Sequence, residues 1–101
     1  MAKDTGNSYM YEIKEAVLSF LKGEDVKVVL FGSRARGDND ISSDLDIGII
    51  PKGSFDKGMI TLLKEKIFNL NTPYKVEIVN LSEAGDIFKE QVLKEAVVWK
   101  D

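Results

Sequence analysis

The chain has 101 residues, 44% apolar and 31% charged, which is enough for one self-sufficient core and too apolar for a disordered segment. Fourteen Lys and Arg stand against seventeen Asp and Glu, and the net charge of −3 argues against broad nucleic-acid binding. There is no cysteine and no histidine, so disulfides, thiolate zinc sites and every Ser-His or Cys-His catalytic pair are excluded. Acid–base work falls to carboxylates, lysine or tyrosine.

Residues 1–7 are polar and read as a flexible N-terminus with no signal-peptide core, ahead of a single domain over 8–101. No apolar run approaches the roughly 18 residues of a membrane span, and a cytoplasmic location is expected. From Ser8 to Lys22, apolar residues at Met10, Ile13, Val17, Phe20 and Leu21 predict a helix with one buried stripe. Val26–Phe31 is β-branched and nearly continuous in hydrophobicity, the pattern of a buried strand. Gly32 breaks it, and Ser33 to Gly37 fits a short helical turn. A second strand is predicted over Ser43–Ile50 and ends at Pro51. Ser54 is positioned to cap a helix that carries Met59, Ile60, Leu63, Ile67 and Leu70.

Tyr74–Val79 reads as a third strand. Ser82 is placed to cap a last helix with Ile87, Phe88, Val92 and Leu93 toward the core, and Val97-Val98-Trp99 has the composition of an extended tail. The link between the first two strands is too short for a long crossover helix, so they are expected to be antiparallel or splayed. The fold class is α/β: a mixed sheet of about three core strands with helices packed against it.

The chemistry lies in one spacing. Gly32-Ser33 is followed after ten residues by Asp44-x-Asp46. Side chains two apart in a strand share a face, so Asp44 and Asp46 stand together while Leu45 and Ile47 point into the core. Two adjacent carboxylates stay ionised when a cation sits between them, and hard oxygen ligands select magnesium or manganese. Glycine lets a phosphate approach the backbone, and the amides and hydroxyl at Ser33 can donate to it. Two-metal phosphoryl chemistry calls for a third carboxylate, and Glu77 is the candidate, as a ligand or as the base for the attacking hydroxyl.

Arg34 and Arg36 are candidates for phosphate contact, with solvated turn residues as the plain alternative. Asp38 and Asp40 read as turn formers. Tyr9, Tyr11 and Trp99 read as packing or interface residues.

Through Gly32-Ser33, Arg34-Ala35-Arg36-Gly37 and Ser43-Asp44-Leu45-Asp46-Ile47, the chain resembles the minimal nucleotidyltransferases of the DNA polymerase β-like superfamily. The resemblance runs from about Val26 to Val79 and extends through the final helix and tail. It implies that Asp44 and Asp46 hold two divalent ions and that Ser33 contacts the triphosphate of ATP. Glu77 falls where the family commonly has aspartate, one methylene shorter. Small members of this kind resemble antitoxins paired with helical HEPN-domain toxins, in which AMP passes from ATP to a tyrosine of the toxin. Two other readings stay open: a module that neutralises a partner by docking alone, and a transferase acting on a small molecule or an RNA end, the RNA version being disfavoured by the acidic balance.

Overall fold

A computed structural model describes residues 5–32, 44–70 and 72–101. Helix α1 (Thr5–Phe20) begins three residues ahead of the expected Ser8 and buries Ile13 and Val17. Strand β1 (Val26–Phe31) follows as predicted, and β2 (Leu45–Pro51) runs antiparallel to it, with Val26 opposite Pro51 and Phe31 opposite Asp46. Helix α2 (Gly58–Phe68) crosses over to β3 (Val76–Asn80), which lies parallel to β2. After a 3₁₀ turn (Leu81–Glu83) comes α3 (Asp86–Glu95) and then β4 (Val97–Lys100), antiparallel to β1 with an irregularity at Val28/Val29. The sheet therefore has four strands in the order β3-β2-β1-β4, one more than the expected three. The apolar tail becomes a strand because β1 offers it an edge.

Two caps differ from expectation. Ser54 does not start α2; the Asp56 carboxylate accepts the Gly58 amide at 2.9 Å. Ser82 does not start the last helix; Asn80 accepts the Ser82 amide at 3.0 Å and closes the 3₁₀ turn, and α3 begins after Gly85 with no side-chain cap. In both places a carboxylate or amide oxygen two residues upstream competes successfully for the free amide.

The sheet is covered unequally. On one face α1 and α2 close a core of Ile13, Val17, Val28, Leu45, Ile47, Leu63 and their neighbours. On the other, Val29, Leu81 and Val92 make a smaller cluster. Of the four residues that the helical spacing turned inward on α3, Val92 is buried, but Ile87 is 76% exposed and Phe88 and Leu93 are also exposed. The inward face expected from the periodicity is thus mostly uncovered, because the sheet beneath this helix reaches only as far as Val92.

Gly48 anchors the smaller cluster. A Cβ there would lie 2.5 Å from Leu81 Cδ1 and 3.1 Å from Val29 Cγ2, and both side chains are fully buried. Gly48→Ala is therefore expected to cost about 1–3 kcal/mol by overpacking, read by urea unfolding. An unchanged midpoint would show that the Leu81 contact can yield.

Candidate active site

The row that crosses the sheet at Asp46 defines the site. Phe31 of β1 and Glu77 of β3 both pair with Asp46 in register, and side chains opposite one another across a ladder share a face. Phe31, Asp46 and Glu77 thus line up on the face away from α1. Asp44 sits just before β2 and is exposed. Burial comes first in raising the Asp46 carboxyl above its ordinary value, followed by the negative charges of Asp44 and then Glu77. The three acids predicted from the sequence are near enough to feel one another, and Asp46 is the one held partly out of water.

Gly32 lies directly beside that carboxylate. Its φ of +82° is the left-handed backbone that glycine adopts without strain. A Cβ on Gly32 would lie 2.3 Å from Asp46 Oδ2. The Asp46 carboxylate therefore packs against the Gly32 backbone in the place a side chain would take, and any larger residue at 32 would displace the acid. Ser33, Arg34 and Arg36 lie outside the described residues.

Glu77 is brought to its predicted place but is half-exposed, and its carboxylate lies 3.8 Å from Lys75 Nζ. Among the described residues, no three Asp, Glu, His or Cys side chains converge as a ready-made metal cage. The donor set still fits a divalent cation. Magnesium is usually bound through one or two carboxylates, with the remaining positions filled by water and substrate phosphates. A desolvated Asp46 with like charges beside it is a group that such a cation would relieve.

The sequence reading missed Phe31 and Phe88 as site neighbours. Their rings meet edge to face at 6.3 Å, and Phe31 is opposite Asp46. The signal was available in the strand register, because the residue before Gly32 must face the acid. Phe88 could be found only once α3 was placed. Tyr9 and Tyr74 form a second edge-to-face pair, and Lys14 lies over Trp99, which agrees with packing roles for Tyr9 and Trp99; Tyr11 is exposed.

Residues 15–100 match the family "Polymerase beta, Nucleotidyltransferase". A Haemophilus influenzae protein named "Probable protein adenylyltransferase MntA" is 32% identical over 77 residues, covering 76% of this chain and 68% of that relative. A solved structure provisionally named a minimal nucleotidyltransferase is 31% identical, with a TM-score of 0.70 and coverage of 87% of this chain and 90% of the other. The fold is also similar to a structure of a tri-AMPylated Shewanella oneidensis HEPN toxin in complex with an MNT antitoxin, at 18% identity, a TM-score of 0.61, and coverage of 88% of this chain and 70% of that one. No helix among the described residues is long and apolar enough to cross a membrane. The glycine corner, the partly buried acid packed against it and the family match over most of the length lead to one statement: this chain belongs to the polymerase beta nucleotidyltransferase family and is a nucleotidyltransferase.

Proposed function

We propose that this nucleotidyltransferase is a metal-dependent protein adenylyltransferase that moves AMP from ATP to a hydroxyl of a HEPN-domain partner, as the antitoxin of a toxin–antitoxin pair. The observation that carries the reading is Asp46: a carboxylate partly withdrawn from water and packed against the left-handed glycine turn that ends β1. Support for the protein acceptor comes from the name of the Haemophilus relative and from the AMPylated toxin in the complex of like fold.

In this reading Gly32 and Ser33 hold the triphosphate tail through main-chain amides and the Ser33 hydroxyl, with Arg34 and Arg36 as further phosphate contacts. Asp44 and Asp46 hold two magnesium ions (manganese could substitute), with Glu77 completing the set. Such ions would neutralise charge building up on the α-phosphate and the departing pyrophosphate. Glu77 would also accept the proton of the attacking hydroxyl. The acceptor oxygen bonds to the α-phosphorus as the bond to the pyrophosphate oxygen breaks. The reaction takes place in the cytoplasm.

The test is transfer of label from α-³²P-ATP with magnesium to the purified HEPN-domain partner. Label on the partner that disappears in the Asp44→Ala plus Asp46→Ala protein is expected. An unlabelled partner, or label that survives both substitutions, rejects the reading. The pairing of Glu77 with Lys75 favours one alternative, neutralisation by docking alone. Toxin neutralised without ATP and without either aspartate would establish that alternative.

A further inference from the structure

In-line transfer needs two opposite approaches to one phosphorus atom, and the row through Asp46 separates them. Gly32 follows Phe31 on the β1 side of Asp46, so a triphosphate tail held at Gly32 leaves toward β1. An acceptor attacking opposite the leaving group must then come in over β3, where Glu77 stands.

β3 is an edge strand. The Lys75 carbonyl accepts the Leu45 amide at 2.9 Å, so the main chain of Lys75 points toward β2. Main-chain groups alternate sides along a strand, and those of Val76 and Ile78 therefore point outward. Among the described residues, no strand pairs with that outer edge.

An open groove of about 730 Å³ runs along the same edge. Consecutive residues Lys75, Val76, Glu77 and Ile78 all line it, although they alternate between the two faces of the sheet. A cavity touching both sets lies against the strand's rim. Its far wall is the last turn of α2, including Phe68, which is 85% exposed. A large aromatic standing in water at the wall of a groove marks a contact surface rather than a core. The charged lining is balanced, with Lys64 and Lys75 against Glu65 and Glu77. A polyanion finds no net attraction there, whereas a protein segment of low charge does.

We infer that this groove is the acceptor dock: an extended segment of the partner protein adds to the outer edge of β3, pairs with the outward main-chain groups of Val76 and Ile78, rests an apolar side chain on Phe68, and presents its hydroxyl beside Glu77. Strand addition takes its affinity from main-chain bonds and its selectivity from side-chain pockets, so an edge and an adjacent apolar wall together meet its needs. Glu77 belongs to both the groove and the carboxylate row, which makes dock and reaction centre continuous. The inference rests on the transferase reading above and adds the site where the acceptor binds.

Two substitutions test it. Val76→Pro removes an outward donor and leaves the β2–β3 ladder intact, a placement that edge strands accept. Phe68→Ala trims a side chain that is almost wholly in solvent and leaves folding alone. Each is assayed for label transfer to the HEPN-domain partner and, separately, for ATP affinity by calorimetry. Leu62→Ala, on the same helix outside the groove, is the control.

The KM for the protein acceptor should rise about tenfold or more in each groove variant, with ATP affinity unchanged. Amide exchange on the wild type should slow at Val76 and Ile78 when the acceptor binds. An unchanged acceptor KM in Phe68→Ala, with the wild type still labelling its partner, overturns the dock and leaves the transferase reading standing. A wild type that labels nothing overturns both. Label found on an RNA end instead of protein overturns the dock as an acceptor-protein site.

Discussion

Under the metal-dependent mechanism proposed above, Asp46→Asn is expected to reduce nucleotidyl transfer at least about a hundredfold, because it removes a charge that would hold a divalent ion able to supply several kcal/mol of transition-state stabilisation. The same substitution should make the metal-free protein more resistant to heat at neutral pH. Burial and the charges of Asp44 and Glu77 raise the Asp46 carboxyl above its ordinary value of 3.8, so the ionised form is less comfortable in the folded chain than in the unfolded one. For an acid with a raised folded value, the destabilisation is absent at pH below the unfolded value. It grows as pH rises through the window between the unfolded and folded values, and is complete above the folded one.

The Tm of Asp46→Asn should therefore match that of the wild type in strong acid and exceed it above the carboxylate range, in buffer with chelator. Magnesium and ATP together should raise the wild-type Tm and leave that of the variant in place. A variant less stable than wild type at pH 7 would mean that Asp46 makes favourable contacts which outweigh its desolvation.

The second large effect belongs to Gly32. Gly32→Ala places a methyl group 2.3 Å from Asp46 Oδ2 and 3.2 Å from its Cγ, on a backbone at φ +82°. The left-handed backbone alone costs an L-residue about 1–2 kcal/mol. The contact with Asp46 comes on top, and the acid must turn away to relieve it. Transfer should fall by at least about tenfold, since a misplaced group at a reacting centre is costly.

The two contributions separate in a double-mutant cycle. Asp46→Ala removes Oδ2 and Cγ, leaving Asp46 Cβ at 3.5 Å, an ordinary contact. In that background Gly32→Ala should cost only the backbone portion, and the difference from its cost in the wild type measures the clash. Additive costs would show that the methyl group and the carboxylate do not meet.

Much of the site could be read before any coordinates. The spacing from Gly32 to Asp44 and Asp46 pointed to a phosphate corner and a pair of acids, and the period-two rule put Leu45 and Ile47 in the core, where both are fully buried. Glu77 could be named from its position within an apolar strand, and the register places it opposite Asp46. Its lean toward Lys75 could not be read, because an ion pair between neighbours on one strand face depends on rotamers. The Asp56 bond to the Gly58 amide and the Asn80 cap of the 3₁₀ turn were missed for a related reason: several hydroxyls and carboxylates within a few residues compete for the same amides, and local geometry selects among them.

Periodicity and spacing are local properties of a chain, and they were sufficient to locate three of the four strands, the helices to within a few residues, and the glycine corner and acids as candidates. The partners of those elements depend on contacts between residues far apart in sequence. Assembly of the sheet placed β4 beside β1 as a fourth strand, left β3 with a bare outer edge, and brought Phe88 over Phe31 while leaving its neighbour Ile87 in solvent. A hydrophobic stripe tells a helix which side to bury, but the extent of the surface beneath it decides how much of that stripe is covered. For the same reason the acids came from the sequence, and the groove beside them came from the arrangement of the sheet.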